Sequence, residues 1–375
     1  MSYYYSLNSQ RSMAFDETRN AAYIKALEKV VTPESVVLDL GAGLGILGLQ
    51  AAKLGAKKVY LVEPEDVVCV AREIIKANGL DDRVECLQGK IETITLPEPV
   101  DIITSVFTGN FLLSEDLLPS LFFARDHYLK PNGILLPSAA EMEAVPISVP
   151  TLFEETIEAW SVPHLGIDHS PGRTYANQEI YWLRKELKEA KYLAQPQSLM
   201  GLDFHTATST HCQTQVTFPI QHAGLCHGFA GWFKMQLGED WLSTAPHEPP
   251  LHWSVAYLPL DPPIEVQDGD TLKFGLTRPS YGDWSWQALN GQSRQQRSTF
   301  FASALSPKRL RQQTLDFCPK LNDKGSAASY VLSQSDGTLS VRSMAEQLTK
   351  QFPQQFPNLQ KATPFVQGLL ERFSL

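Results

Sequence analysis

The stretch VVLDLGAGLGILGLQAAKLGAKKVYLVE, residues 36–63, decides the fold. Its first five residues, Val36–Leu40, form an apolar run that predicts a buried strand. A glycine-rich turn follows directly, residues 46–54 have the pattern of a helix with Gly55 suited to its C-cap, and a second apolar run ends at Glu63. This succession predicts one strand–helix–strand unit of an open α/β sheet, with a carboxylate at the carboxyl end of its second strand.

The glycine-rich turn has the spacing G-x-G-x-G at Gly41, Gly43 and Gly45. Glycine lets a ligand lie against the backbone where a Cβ would block it, and the helix N-terminus adds N–H donors. Glu63 is placed to accept hydrogen bonds from two ribose hydroxyls. The dinucleotide fingerprint G-x-G-x-x-G is one residue longer. The shorter form is usual in methyltransferases that use S-adenosylmethionine (SAM), so we expect an adenosine-type ligand without a pyrophosphate.

The composition is that of an ordinary globular protein, with 375 residues of which 43% are hydrophobic and 19% charged. The formal net charge is -9, and the sequence has no long basic stripe, which argues against a large nucleic-acid footprint. The five cysteines lack metal-binding spacing, and without a signal peptide they predict reduced thiols in the cytoplasm. No apolar run reaches transmembrane length. We therefore expect neither a metal site nor a membrane segment.

The segments around the opening stretch extend the α/β pattern. Residues 16–30 have helical periodicity, and residues 66–78, 84–87 and 100–104 predict a helix and two further strands. Arg19 lies beside the apolar face of the first helix, near its start. Two interpretations of Arg19 are open: an exposed charge, or a cation held over the ligand site to pair with a carboxylate.

Two loops of the α/β region carry candidate functional carboxylates. Residues 105–115 leave the carboxyl end of the fourth predicted strand, where open α/β sheets place their chemistry. Within this loop Glu115 is a candidate base or clamp, whereas we expect the adjacent Asp116 to be solvated. In the preceding loop, Glu92 either accepts a hydrogen bond from an exocyclic amine or is a surface charge.

The second half of the chain has a different pattern. From about residue 141 to residue 277, short alternating apolar runs predict an antiparallel sandwich or barrel. Residues 151–200 interrupt it with a partly helical excursion whose apolar side chains predict a docking surface for a second subunit. In the tail, residues 330–332 predict a strand, Asp336-Gly337 a turn, residues 343–348 a capped helix and residues 365–373 a final amphipathic helix. Strands with short helices predict a winged-helix-like module. The predicted divisions are an N-terminal helical segment (1–30), an α/β ligand-binding domain (31–138), a β-barrel-like domain with the excursion (139–310) and the small tail (311–375).

Together these motifs resemble the protein arginine N-methyltransferase family, over a span from about Tyr4 to Arg278. The matching segments are MAFDETR (13–19), VLDLGAGLGIL (37–47), GKIE (89–92), ARDHYLKPNG (124–133) and LHW (251–253). The resemblance implies a Rossmann-like SAM-binding domain followed by an antiparallel β-barrel-like domain, with S-adenosyl-L-methionine as cofactor. It also implies that the excursion at 151–200 is a dimerisation arm and that the protein is a homodimer.

The resemblance further implies roles for individual residues. Arg19 would pair with the methionine carboxylate of the cofactor, and Glu63 would hold its ribose. His252 would meet Asp16 across the site. The other implied cofactor contacts are Asp39, Gly41, Gly43, Gly45, Ile91 and Glu92, and the implied substrate-pocket residues are Val106, Phe107, Asn110 and Trp253.

The loop at 105–115 departs from the family pattern. Family members carry two glutamates there that grip the guanidinium of the substrate; the second falls on Glu115, but the first falls on the uncharged Val106. Phe107-Thr108 replaces Trp-Met, and Leu251 replaces Thr. A guanidinium is always charged and presents a fork of donors, so one carboxylate is a poorer clamp. Losing one partner of a buried charge set costs about 3–5 kcal/mol.

Three hypotheses follow. The first is methyl transfer to a nitrogen of a protein or peptide, with Glu115 orienting the acceptor or taking its proton. A single carboxylate suits an acceptor with one N–H, such as a neutral imidazole or amine, unless another acid substitutes for the missing glutamate. The second is methyl transfer to a small molecule of a biosynthetic pathway. The third is a non-catalytic SAM-binding partner, against which the intact Arg19 and Glu63 argue.

Overall fold

The computed structural model describes residues 7–291 and 293–374. Residues 1–6 of the predicted N-terminal segment, including Tyr4 where the family resemblance begins, lie outside the described residues. The chain divides into two compact units, with the boundary between Ala304 and Leu305. Within the described part of the chain, no helix is both long and apolar enough to cross a membrane.

A five-stranded parallel sheet forms the first half of the larger unit, as residues 36–63 predict. Its strands are β1 (Val36–Leu40), β2 (Lys58–Glu63), β3 (Val84–Gln88), β4 (Val100–Ser105) and β5 (Leu129–Leu136). The strand order is β3-β2-β1-β4-β5, and every neighbouring pair is parallel. The order reverses direction between β1 and β4. In open α/β sheets ligands bind at such a switch point, outside the carboxyl ends of the strands.

Helices connect and cover this sheet. They are α1 (Leu7–Ala14), α2 (Glu17–Val30), α3 (Ile46–Lys53), α4 (Val68–Ala77) and α5 (Leu118–Tyr128). Asp16 caps α2, since its side chain accepts a hydrogen bond from the backbone N–H of Arg19 at 3.0 Å. This cap fixes the start of α2, one residue after the start that the periodicity predicts, beside the carboxyl ends of the strands.

Two antiparallel sheets make up the second half of the larger unit and confirm the predicted change in pattern. Their strands are β6 (Ala139–Ser148), β7 (Tyr181–Leu183), β8 (Lys191–Tyr192), β9 (Gln197–Asp203), β10 (Cys212–Pro219), β11 (Gly224–Leu237), β12 (Asp240–Ser243), β13 (Val255–Val266), β14 (Thr271–Arg278), β15 (Ser285–Asn290) and β16 (Ser293–Ser298). One sheet has the order β7-β13-β11-β6-β8, with β12 on β11 and β9 on β6; the other has the order β10-β14-β15-β16. The two sheets bury a common apolar core with the parallel sheet.

The excursion between β6 and β9 is partly helical, as its composition predicts. It contains α6 (Pro150–Thr156), α7 (Arg173–Ala176) and two short 3-10 helices at Glu158–Ser161 and Ser170–Gly172. A further 3-10 helix lies at Thr299–Phe301, after β16. The excursion returns to the sheet through β7, whose Trp182 pairs with Ala256 of β13. Its return segment is therefore tied to the strand that follows the His252 loop.

The smaller unit is helical, so the predicted strand at 330–332 and the winged-helix-like tail are wrong. Its helices are α8 (Pro307–Gln312), α9 (Asp323–Leu332), α10 (Val341–Gln351) and α11 (Leu359–Phe373). The short apolar run is the end of α9, where Ala327 and Val331 are four residues apart and both fully buried. An apolar run of this length does not distinguish a strand from a buried helix face. The predicted turn at Asp336-Gly337 is confirmed, with Gly337 at φ +85.

Candidate active site

A cleft of about 890 Å³ opens at the carboxyl ends of β1, β2 and β4. It lies at the topological switch point of the parallel sheet, and the His252 loop before β13 closes one side. The cleft brings together most of the sequence-predicted site residues: Arg19, Asp39, Gly41, Gly43, Glu63, Val106, Phe107, Asn110, Glu115, His252 and Trp253.

The glycine-rich turn forms the floor of the cleft. Gly41, Gly43 and Gly45 have φ values of +69, +54 and +80, which disfavour residues with a side chain. A Cβ on Gly41 would overlap the ring of Phe107, and a Cβ on Gly43 would come within 2.5 Å of Oε1 of Gln10. Gly45 does not line the cleft; it caps α3 beneath it. The turn is therefore a cradle that only glycine permits.

Glu63 is fixed over this cradle by backbone donors. Its Oε2 accepts from the N–H of Gly43 at 2.8 Å and its Oε1 from the N–H of Glu65 at 3.0 Å. Only 5% of Glu63 is exposed, and this burial raises the pKa of its carboxyl group. The carboxylate is held by two rigid donors at the edge of the cleft, so it is preorganised to accept further hydrogen bonds from a ligand.

Asp39 ends β1 on the inner wall of the cleft. Its Oδ2 accepts from the N–H of Gly48 in α3 at 2.7 Å, which ties the helix to the strand. Burial raises the pKa of Asp39 to about 7, although the hydrogen bond from Gly48 and the positive charge of Arg19 act in the opposite direction. The carboxyl group is therefore a buried, weakly acidic group in the same electrostatic environment as Arg19.

Arg19 is buried in the cleft, which excludes the interpretation that it is an exposed charge. Only 4% of the residue is exposed. Its Nη2 donates to the carbonyl of Met13, and both Nε and Nη2 donate to Oδ1 of Asn20, at 3.1 and 2.7 Å. Burial lowers the pKa of Arg19, but the group stays cationic because its ordinary pKa is so high. A buried cation in a ligand cleft favours an anionic group on the ligand.

Asp16 and His252 meet across the site, joined by hydrogen bonds. Oδ2 of Asp16 accepts from the backbone N–H of His252 at 2.9 Å and lies 2.9 Å from its Nδ1. Burial would raise the pKa of Asp16, but the hydrogen bonds from His252 and Arg19 outweigh it and lower that pKa. Burial lowers the pKa of His252. Near neutral pH the pair is a carboxylate beside a neutral imidazole.

The His252 loop is bound to the loop after β4. Trp253 donates from Nε1 to the carbonyl of Thr108 at 2.6 Å, and the N–H of Ser254 donates to Oδ1 of Asn110 at 2.8 Å. Arg184 of the excursion donates to the carbonyl of Trp253 at 3.0 Å. No local sequence pattern points to Arg184, because its contact depends on the pairing of β7 with β13.

The 105–115 loop is held in an unusual backbone conformation. Phe111 and Leu112 of this loop have φ values of +47 and +64, and Asp116, directly after the loop, has +52. Asp116 binds Arg278 with two hydrogen bonds of 2.8 and 2.6 Å, so the expectation that Asp116 is solvated is wrong. The hydrogen bonds from Arg278 and the N–H of Tyr281 outweigh burial and lower the pKa of Asp116. This ion pair anchors the loop immediately beside Glu115.

Two predicted cofactor contacts lie outside the cleft. Ile91 is buried in the apolar core, with 2% exposure, and Glu92 is exposed and accepts a hydrogen bond from the hydroxyl of Ser120. Neither residue lines the cleft. Gln10 of α1 does line it, although no sequence motif indicates this residue. Its segment shows only a short amphipathic pattern, and its position over Gly43 follows from the packing of α1.

The cleft fits a SAM-type cofactor by its own geometry. Gly41 and Gly43 line the cleft without a side chain, Glu63 presents a fixed acceptor, and buried Arg19 supplies a cation. Oγ1 of Thr108 is buried in the cleft wall and has no hydrogen-bond partner among the described residues. The parallel sheet, the G-x-G-x-G cradle and this cleft define a SAM-dependent methyltransferase.

Comparisons with known proteins give the family. Residues 138–282 match a family described as the arginine methyltransferase oligomerization subdomain, and residues 17–138 match ribosomal protein L11 methyltransferase (PrmA). Protein arginine N-methyltransferase PRMT10 of Arabidopsis thaliana is 34% identical over 310 residues, covering 73% of this chain and 80% of that protein. Protein arginine N-methyltransferase 6 of Xenopus laevis is 35% identical over 289 residues, covering 73% of this chain and 84% of that protein.

A solved structure agrees with these relatives. The Trypanosoma brucei PRMT1 enzyme–prozyme heterotetrameric complex with AdoHcy has a TM-score of 0.71 and 27% identity, covering 79% of this chain and 99% of that chain. The chain belongs to the protein arginine N-methyltransferase family. The family resemblance, the fold and the cofactor that the sequence predicts are confirmed: the protein is a SAM-dependent N-methyltransferase.

Proposed function

We propose that this enzyme methylates a side-chain nitrogen of a protein or peptide, and that Glu115 positions the acceptor. The observation that carries the proposal is the place of Glu115, which lines the cleft together with Gly41, Glu63 and His252. The names of the relatives, all protein arginine N-methyltransferases, support a protein acceptor.

Different residues of the cleft bind the two ends of the cofactor and line the site of reaction. Glu63 would accept from the ribose hydroxyls of the cofactor, and Arg19 would pair with its carboxylate. The bound cofactor supplies an electrophilic methyl group on a sulfonium. Phe107 and Val106 form an apolar wall that excludes water from the reacting atoms, which strengthens electrostatic interactions inside the site.

In this proposal the carboxylate of Glu115 carries out the proton transfer. Glu115 accepts a hydrogen bond from the acceptor nitrogen, directs its lone pair at the methyl group and takes the proton that this nitrogen loses. The Asp16–His252 pair lies across the cleft and holds the loop that carries Trp253. The neutral imidazole adds no positive charge that would repel a cationic acceptor.

Incubation with SAM and arginine-containing peptides tests this function by mass spectrometry. We expect gains of whole methyl groups, and we expect Glu115→Gln to lower the rate by about 100-fold or more, since general acid–base catalysis contributes roughly 10²–10⁴-fold. Binding of S-adenosylhomocysteine should be unchanged in that variant. Glu28→Gln, an exposed glutamate on α2, is the matched control. An unchanged rate in Glu115→Gln would refute the role of Glu115.

We also propose that the enzyme is a homodimer joined through residues 151–200. Four large apolar residues of this arm are strongly exposed: Trp160 (41%), Val162 (61%), Leu165 (88%) and Ile167 (60%). Large exposed apolar residues grouped in one short segment indicate protein–protein contact. The match to an oligomerization subdomain supports the same proposal.

All five cysteines are free thiols, which supports a reducing compartment such as the cytoplasm.

A further inference from the structure

A second cavity of about 370 Å³ shares Glu115 with the cofactor cleft. Its walls come from three parts of the chain: the loop after β4, the return segment of the arm, and the segments that flank β15 and β16. Its lining residues are Asn110, Ser114, Glu115, Glu179, Ile180, Trp182, Trp284 and Thr299. Asn110 and Glu115 also line the cofactor cleft, so the two spaces meet at these residues. We call this cavity the outer pocket.

The outer pocket is negatively charged. It holds two carboxylates, Glu115 and Glu179, and none of its lining residues within the described chain is a lysine or arginine. Both glutamates are exposed, so a ligand reaches them from solvent. Two carboxylates in a concave site whose described lining holds no lysine or arginine favour a cationic ligand.

The aromatic walls of the outer pocket are not equivalent. Trp284 is 6% exposed, and its ring already contacts two other groups. It stacks on Phe111 with centroids 5.2 Å apart, and its centroid lies 5.2 Å from the guanidinium of Arg278. Trp182 is 37% exposed. A cation in the pocket therefore finds the ring of Trp182 available for a cation–π contact.

Buried hydroxyl groups give an independent sign of a polar ligand. Oγ of Ser114 in the outer pocket is buried and has no hydrogen-bond partner among the described residues. Thr108, in the adjoining cleft, is 3% exposed and its Oγ1 is equally without a partner within the described chain. Buried polar atoms are normally paired. A ligand with several N–H donors would satisfy both hydroxyls as acceptors.

We propose that Glu179 is a specificity-determining residue that supplies the second carboxylate for a guanidinium acceptor. The guanidinium enters through the outer pocket between Glu179 and Trp182, and its terminal nitrogen reaches the cleft past Glu115. Glu179 thus provides, from the arm, the charge that Val106 does not provide from the loop. A guanidinium fits because its planar fork of five donors can meet two carboxylates and a hydroxyl at once. This inference rests on the proposed function.

Binding experiments with the full-length protein test the proposal without requiring turnover. The protein is saturated with S-adenosylhomocysteine, and the affinities of two peptides are measured by fluorescence anisotropy; the peptides are identical except for arginine or its neutral isostere citrulline. We expect the wild type to prefer the arginine peptide, and Glu179→Gln to reduce that preference by about tenfold, since hydrogen bonds to charged groups are the strong ones. Glu179→Asp should retain part of the preference.

The control is Glu28→Gln, which should keep the full preference. If Glu179 had only a structural role, Glu179→Gln would lower the affinity for both peptides equally. The ratio of the two affinities is therefore the decisive quantity. An unchanged ratio in Glu179→Gln, or binding of neither peptide by the wild type, would overturn the proposal. Glu179-dependent binding without methyl transfer would refute the proposed function alone, and methyl transfer indifferent to Glu179 would refute this inference alone.

Discussion

Glu63→Gln is expected to weaken binding of S-adenosylhomocysteine by about 30- to 150-fold, which corresponds to about 2–3 kcal/mol. Both carboxylate oxygens of Glu63 accept from backbone N–H groups, of Gly43 at 2.8 Å and of Glu65 at 3.0 Å. An amide replaces one of these acceptors by a donor. In either orientation an NH₂ group then faces a backbone N–H at the edge of the ligand site.

The magnitude follows from these contacts. Hydrogen bonds to charged groups contribute about 1.5–3 kcal/mol, and a buried donor left without an acceptor costs about 1–3 kcal/mol. The substitution removes the charge from the bonds that we propose Glu63 makes to the ribose, and it replaces one fixed acceptor with a donor. Because Glu63 is only 5% exposed, solvent does not replace what is lost.

Isothermal titration calorimetry with S-adenosylhomocysteine measures the change, and urea unfolding without ligand measures the part that belongs to the protein alone. Glu65→Gln is the matched control, because Glu65 contributes its backbone N–H rather than its side chain to this contact. An affinity of Glu63→Gln within about twofold of the wild type, with the protein folded, would refute the assignment of Glu63 to the ribose.

Three further predictions concern the rest of the larger unit. The pKa of His252 is lowered in the folded state, so as the pH falls the unfolded chain binds this proton first, and the wild-type protein loses stability below about pH 6.5. His252→Gln should therefore show a flatter profile of Tm against pH. An equal slope in the two proteins would show that burial does not lower the pKa of His252. Asp116→Asn should cost about 3 kcal/mol in urea unfolding, because it leaves buried Arg278 without its charged partner; a cost below about 0.5 kcal/mol would show a surface-type ion pair instead. Leu165→Asp should convert a dimer to a monomer in sedimentation velocity, and an unchanged sedimentation coefficient would exclude this surface from the interface.

In the tail, the predicted strand at 330–332 is wrong and the predicted helices are right. Its helix caps and final amphipathic helix are local signals, and the structure confirms α10 and α11 with N-caps at Ser340 and Asn358. The run at 330–332 is too short to have a period of its own, so strand and helix are equally compatible with it. The burial of Val331 against α10 and α11, which makes α9 a helix in a small apolar core, is a tertiary contact.

The sequence by itself determined the parallel sheet, the glycine cradle and the position of Glu63, because these lie within 28 consecutive residues, 36–63, and follow from local periodicity and backbone sterics. Only the tertiary structure decided that Arg19 is buried, that Asp116 is paired and that Glu179 shares a pocket with Glu115. Each of these depends on which distant strands and loops come together. Strand register and helix packing set that proximity, and no local pattern of apolar and polar residues encodes it.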